Sequence, residues 1–216
     1  LIGPKKFDVP WKVLERQGWI AKALCTEIRI PLPEAERLRY AVADTKSKFR
    51  IASENPAKIE AVNLLIEKHK DDNILIIGQY LDQLDILAKR FNAPIITGKT
   101  PNKDRERIYG DFKSGKLKRL IVSKVANFAI DLPDANVAVQ VSGTFGSRQE
   151  EAQRLGRVLR PKAEGNFAFF YSLVTKGSKD QEFAENRQLF LTEQGYRYRI
   201  ISIDGMNQLA EKINQE

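Results

Sequence analysis

The 216-residue chain is 42% hydrophobic and 30% charged, an ordinary globular composition with room for one large domain or two small ones. It has no run of 18 or more apolar residues and no leader-like start, so neither a membrane span nor a signal peptide is expected. A lone cysteine, Cys25, excludes an internal disulfide framework, and a net charge of +8 suits a polyanionic partner.

Single cysteines fit a reducing cytosol, so a cytoplasmic setting is expected. A start at Leu1 rather than Met reads as a piece of a longer protein. The basic charge is concentrated. Residues 99–119 hold eight Lys and Arg against three acids, and residues 148–162 hold five against two. Such segments read either as binding surfaces or as solvated helix faces. The lone histidine, His69, has no second His or Cys nearby, so zinc is not expected and a solvated place near a helix end is.

Taken in chain order, residues 1–50 differ from the rest. GPKKFDVPWKVLERQGW carries Trp11 and Trp19 and reads as irregular structure with one short helix, its two rings packing against the domain rather than stacking on DNA. Residues 27–32 alternate like a strand that Pro31 and Pro33 place at an edge or bring to an end. Residues 33–43 and 56–70 read as helices, the second with Pro56 in its first turn. Short apolar strands and helices then alternate. Strands are expected at 74–78, 94–97, 120–123, 137–141, 167–171 and 198–203. Helices are expected at 81–91, 102–113, 147–160 and 179–194. Alternation of this kind predicts an α/β fold, a three-layer sandwich with a mostly parallel sheet and helices on both faces. Ligands on such sheets sit beyond the carboxyl ends of the strands.

APIITGKT, residues 93–100, imitates the phosphate-binding loop G-x-x-x-x-G-K-S/T. Its four central residues are an apolar, β-branched run, which is strand rather than loop, and Ala93 stands where the first glycine should be. Pro101 also removes an N–H from the side that would face phosphate. An autonomous ATP site is therefore not expected here. Gly98, Arg105 and Phe112 instead recur at intervals of seven, a glycine turn feeding a helix. Lys103, Arg105 and Arg107 read as a solvated helix face or as DNA contacts.

The segment richest in chemistry is GTFGSRQEEAQRLGRVLRP, residues 143–161. Ser147 and Glu150 fit a capping box and Pro161 a helix stop. On that helix Gln153, Arg157 and Arg160 share one face. A guanidinium offers several planar donors to charge spread over γ-phosphate oxygens, and a glutamine can orient the attacking water. A basic face held by acids or solvent has the same spacing.

QRLGRVLR (153–160) resembles motif VI of superfamily 2 helicases, SKVANFAIDLPDANVAVQV (123–141) motif V, and ILIIGQYLDQLDILAKRF (74–91) motif IV. The collinear similarity is to the C-terminal motor domain of the XPB (Rad25-like) DNA repair helicases, particularly bacterial forms. GPKKFDVPWKVLERQGWIAKALCTEIRI (3–30) resembles the segment joining the two motor domains of that family.

The resemblance implies a RecA-like second motor domain over residues 51–216, with residues 1–50 as linker and flank. It implies an ATP-dependent 3′–5′ DNA helicase or translocase in repair, active only as the full-length protein. Arg157 and Arg160 would be arginine fingers, and Gln153 would approach the γ-phosphate. Asp131 would bond the ribose or the arginine network. Gly78, Gln79, Tyr80, Thr97, Gly98, Lys99, Thr100, Ser123 and Lys124 would meet the DNA backbone, with Tyr80 touching a base or sugar or lying partly buried. ATP and Mg²⁺ would bind jointly with an N-terminal motor domain, since motifs I and II are not in this sequence. DNA, that domain, and a repair nuclease or other repair factors are the partners implied, with no membrane. Ala129-Ile130-Asp131 departs from the usual glycine-containing motif V, which puts the approach of that loop's backbone in question. Two alternatives stay open: a double-stranded DNA translocase that does not unwind, and a non-catalytic RecA-like binding module.

Overall fold

A computed structural model describes residues 22–123, 135–143, 167–193 and 196–213, with residues 13 and 17 besides. Trp11, Trp19, Lys124, Asp131 and the 147–160 segment with Gln153, Arg157 and Arg160 lie outside the described residues.

Seven strands form one sheet: β1 Lys22–Ile30, β2 Ile74–Gly78, β3 Ile95–Ile96, β4 Arg119–Ser123, β5 Val137–Gln140, β6 Phe167–Thr175 and β7 Arg197–Ser202. Their order across the sheet is β3-β4-β2-β5-β6-β1-β7, and every pairing is parallel. Among the described residues the helices are α1 Glu34–Val42, α2 Thr45–Ser53, α3 Ala57–Lys68, α4 Leu81–Phe91, α5 Asn102–Lys113, α6 Lys179–Glu193 and α7 Met206–Ile213.

The continuous apolar run of β2 is buried throughout because it is covered on both faces. On one face Ile74, Ile76, Ile121, Val137 and Val139 pack with Val62 and Leu65 of α3, Leu84 and Leu87 of α4, and Leu209 of α7. On the other, Leu75, Ile77, Leu120, Val122 and Ala138 pack with Ile108 and Phe112 of α5 and Leu191 of α6. The two-residue periodicity of each strand thus supplies both cores. No helix among the described residues is long and apolar enough to cross a membrane.

Several elements differ from the sequence reading. β1 is not an edge strand: it begins at Lys22 and lies between β6 and β7. Its end does fall at Ile30, directly before Pro31, whose ring nitrogen has no hydrogen to donate. From Lys22 onward the expected flank is therefore part of the sheet, and α1 and α2 follow within it. Residues 45–53 and 206–213 form helices the periodicity did not reveal. The first is started by Asp44, whose carboxylate accepts from Lys46 N–H (2.9 Å), Ser47 N–H (3.1 Å) and the Ser47 hydroxyl (2.6 Å). The Ser47 hydroxyl bond is the leading reason this carboxyl titrates below the ordinary aspartate value. Pro56 sits just before α3, and the first-turn N–H of Ala57 is capped by the side chain of Asn55 at 3.0 Å.

His69 is a core residue rather than a solvated one. Its Nδ1 lies 3.0 Å from Asp72 Oδ2 and its Nε2 lies 2.9 Å from the Tyr171 hydroxyl. Both ring nitrogens are satisfied, and the ring leans on Phe169 at 4.8 Å.

Candidate nucleic-acid interface and nucleotide half-site

Strand register places three of the expected contact segments side by side. Gly78 pairs with Ser123, and Ile96 pairs with Val122, so Thr97 is one step past the last β3 pairing and level with Ser123. On the other side of β2, Ile77 pairs with Gln140. Thr97, Ser123 and Gly78 therefore form a row across the carboxyl ends of β3, β4 and β2, with Val141 next along it. Lys124 and Asp131 follow Ser123 in sequence, beyond the described residues.

The turn after β3 is built by its own side chains. Thr97 N–H donates to Thr100 Oγ1 at 2.9 Å and Lys99 N–H to Thr97 Oγ1 at 3.2 Å. Thr100 N–H donates to Thr97 O at 3.2 Å. These N–H groups are used inside the turn, so APIITGKT does not cradle phosphate as a P-loop does. What the turn presents is the exposed Gly98 and Lys99.

Arg105 is not part of a solvated face. It is 8% exposed, and its Nη2 donates to Thr97 O at 2.9 Å and to Gly98 O at 3.0 Å. The seven-residue interval from Gly98 to Arg105 thus carries a side chain back from α5 to hold the turn. Phe112, seven residues further, is fully buried beneath it. Arg107 does lie on the exposed face, 3.8 Å from Asp104 and 3.9 Å from Asp111. Exposed pairs of this length contribute little stability.

Gly78 allows a close approach. A Cβ there would stand 2.7 Å from Leu84 Cδ2, 2.9 Å from Val141 Cγ2 and 3.1 Å from Ser142 Oγ. Next to it, Gln79 N–H donates to Ser142 Oγ at 2.7 Å. Tyr80 is half-buried, and desolvation is the main cause that raises its phenol above the ordinary value. The Arg50 guanidinium lies 5.4 Å from its ring centroid. Glu54 and Asp82 orient that arginine at 2.6 and 2.8 Å.

Behind this row lies a buried ion pair. Lys58 Nζ donates to Asp180 Oδ2 at 2.7 Å and to Val141 O at 3.0 Å, with the two side chains 1% and 0% exposed. Asp180 Oδ2 also accepts from Thr175 N–H at 3.1 Å. The pair joins the start of α3, the end of β5 and the start of α6.

Arg50, Lys58, Ser142 and Asp180 were not singled out from the sequence. Lys58 carries a readable signal: with Ala61, Val62 and Leu65 it lies on the buried stripe of α3, where a solvated lysine has no place. Arg105 stands in the same relation to Ile108, Tyr109 and Phe112 on α5. Among the described residues, no group of three or more His, Cys, Asp or Glu could hold a metal ion. Cys25 is buried.

The seven-stranded parallel sheet is that of a RecA-like domain. The C-terminal domain of the DEAD-box protein Dbp5 superposes with a TM-score of 0.62 at 15% identity, covering 91% of this chain and 98% of that one. A DEAD-box protein from Methanococcus jannaschii superposes at 0.56 and 17% identity, covering 87% and 43%. The chain belongs to the XPB family, since the model of the ERCC3/RAD25/XPB C-terminal helicase matches residues 14–216. The DNA 3′-5′ helicase XPB of Kineococcus radiotolerans is 55% identical over 207 residues, and that of Mycobacterium tuberculosis 54% over 206. These alignments cover 96% and 95% of this chain, which spans 37% and 38% of the relatives' length. The transcription and DNA repair factor IIH helicase/translocase subunit XPB of Danio rerio is 38% identical over 209 residues, 94% of this chain and 27% of that protein.

Proposed function

We propose that this chain is the second motor domain of an ATP-dependent 3′–5′ DNA helicase acting in repair. The observation that carries the reading is the row of Thr97, Ser123 and Gly78 on adjacent strand ends, beside the strand that leads in sequence to QRLGRVLR.

In this reading the row grips one DNA strand by its backbone. The hydroxyls of Thr97, Thr100 and Ser123, the charges of Lys99 and Lys124, and the Gly78–Gln79–Tyr80 turn contact phosphate and sugar. Such contacts position a strand without reading its sequence, so binding is salt-sensitive and weakly selective. Arg105 acts through the turn it holds, as a positioning residue. Residues before Lys22 serve as linker to the N-terminal motor domain.

ATP, with its Mg²⁺, is the substrate and binds between that domain and this one. Arg157 and Arg160 stabilise charge on the γ-phosphate oxygens, and Gln153 orients the attacking water. Asp131 holds the ribose or the arginine network. Closing of the cleft on ATP and its opening after hydrolysis move the two grips along the strand. A repair nuclease or other repair factors fit as partners, in the cytoplasm at the nucleoid.

The Danio rerio relative is named a helicase/translocase subunit, which favours a second reading, a double-stranded DNA translocase that does not unwind. Full-length protein with ATP is expected to displace a strand from a 3′-tailed duplex. Displacement of a triplex third strand with the duplex left intact would identify a translocase instead. DNA binding with neither activity would leave only a binding module.

A further inference from the structure

The turn after β2 and the end of β5 are locked together at one corner. Val141 N–H donates to Ile77 O at 2.9 Å, Val141 O accepts from Lys58 at 3.0 Å, and Gln79 N–H donates to Ser142 Oγ at 2.7 Å. Ser142 is 2% exposed. A Cβ on Gly78 would stand 2.9 Å from Val141 Cγ2 and 3.1 Å from Ser142 Oγ, so both side chains would have to shift to admit it. Gln79 belongs to the strand-gripping turn, whereas Ser142 is followed at once by the segment 143–161 that carries the arginines.

We propose that Ser142 is a positioning residue that couples DNA contact at Gly78–Gln79 to ATP turnover at the arginine-bearing segment. The corner has no slack. A shift of Gln79 on gripping a strand must either carry Ser142 with it or break a buried 2.7 Å hydrogen bond. Lys58 and Asp180 anchor the far side, so the displacement passes along the chain into residue 143 rather than back into β5. Coupling of this kind needs an element that both sites bias, and this corner bonds Gln79 directly and leads in sequence into the arginine-bearing segment. A serine that only satisfied the Gln79 N–H would affect stability and leave the response to DNA unchanged.

The inference rests on the function proposed above, and its test separates the two. In the full-length protein, Ser142→Ala is expected to lower the ratio of DNA-stimulated to basal ATP turnover about tenfold. The dissociation constant for single-stranded DNA and the KM for ATP should stay within about twofold of wild type. Ser142→Thr, which keeps the accepting hydroxyl, should restore most of the ratio. A wild-type ratio in Ser142→Ala, a fall matched by equal loss of DNA affinity, or an equal fall in Ser142→Thr would overturn the coupling role. Arg157→Ala is measured alongside. Turnover lost there but an unchanged ratio in Ser142→Ala removes the coupling alone, whereas turnover retained in Arg157→Ala removes both.

Discussion

Arg157→Ala in the full-length protein is expected to lower DNA-stimulated ATP turnover by about 10³–10⁵-fold, with DNA affinity within about threefold of wild type. The size of the effect follows from what a guanidinium does at a transferring phosphoryl group. Charge spreads over three oxygens in a site that excludes water, and a planar cation with several donors meets it without reorganisation. Arg160 is three residues on, the spacing at which side chains of a helix would share a face, and its alanine variant is expected to behave alike. DNA affinity is expected to survive because the row proposed to grip the strand lies elsewhere in the sequence, at the ends of β2, β3 and β4. ATPase assays with and without DNA, paired with fluorescence anisotropy on labelled DNA, separate the two quantities. Wild-type turnover in both variants would remove the arginine-finger assignment.

The largest stability effect is expected at Lys58. Lys58→Met destabilises the fold by about 3–5 kcal/mol, because it leaves the fully buried Asp180 charge without its cation. Val141 O loses a donor as well. Adding Asp180→Asn removes the stranded charge while keeping an acceptor for Thr175 N–H, and should recover roughly half of the loss or more. Equilibrium urea unfolding of wild type, single and double variants measures this directly. A single variant within about 1 kcal/mol of wild type would mean that Asp180 is not confined to a dry, charged pair.

How much of this could be read from the sequence depends on whether the determinant is local. The run of residues 74–78 declared itself as a buried strand because both faces are covered and no polar residue interrupts it. β1 was harder. Its length and its place inside the edge are set by Phe167–Thr175 and Arg197–Ser202, more than a hundred residues away, and nothing in residues 22–30 encodes those pairings. Pro31 and Pro33 marked where the strand stops but not which neighbours it has. The α2 helix was concealed by its short, polar sequence, although Asp44 and Ser47 were present as a start signal.

In the candidate site, the glycine-to-arginine spacing pointed correctly to one unit, Gly98 with Arg105. The role of that arginine was misread, because a charge on a helix is ordinarily solvated. Its place on the stripe of Ile108, Tyr109 and Phe112 was the available sign, and Lys58 repeats it on α3. The Gln79–Ser142 bond spans 63 residues and depends on two strand ends meeting, so no local pattern could show it.

The central claim is that the chemistry of this chain is half of a nucleotide site. Its most direct test is the ATP turnover of purified residues 1–216 with saturating single-stranded DNA. Salt-sensitive DNA binding and no turnover above the enzyme-free background are expected. DNA-stimulated hydrolysis by residues 1–216 alone, abolished by Arg157→Ala, would contradict it.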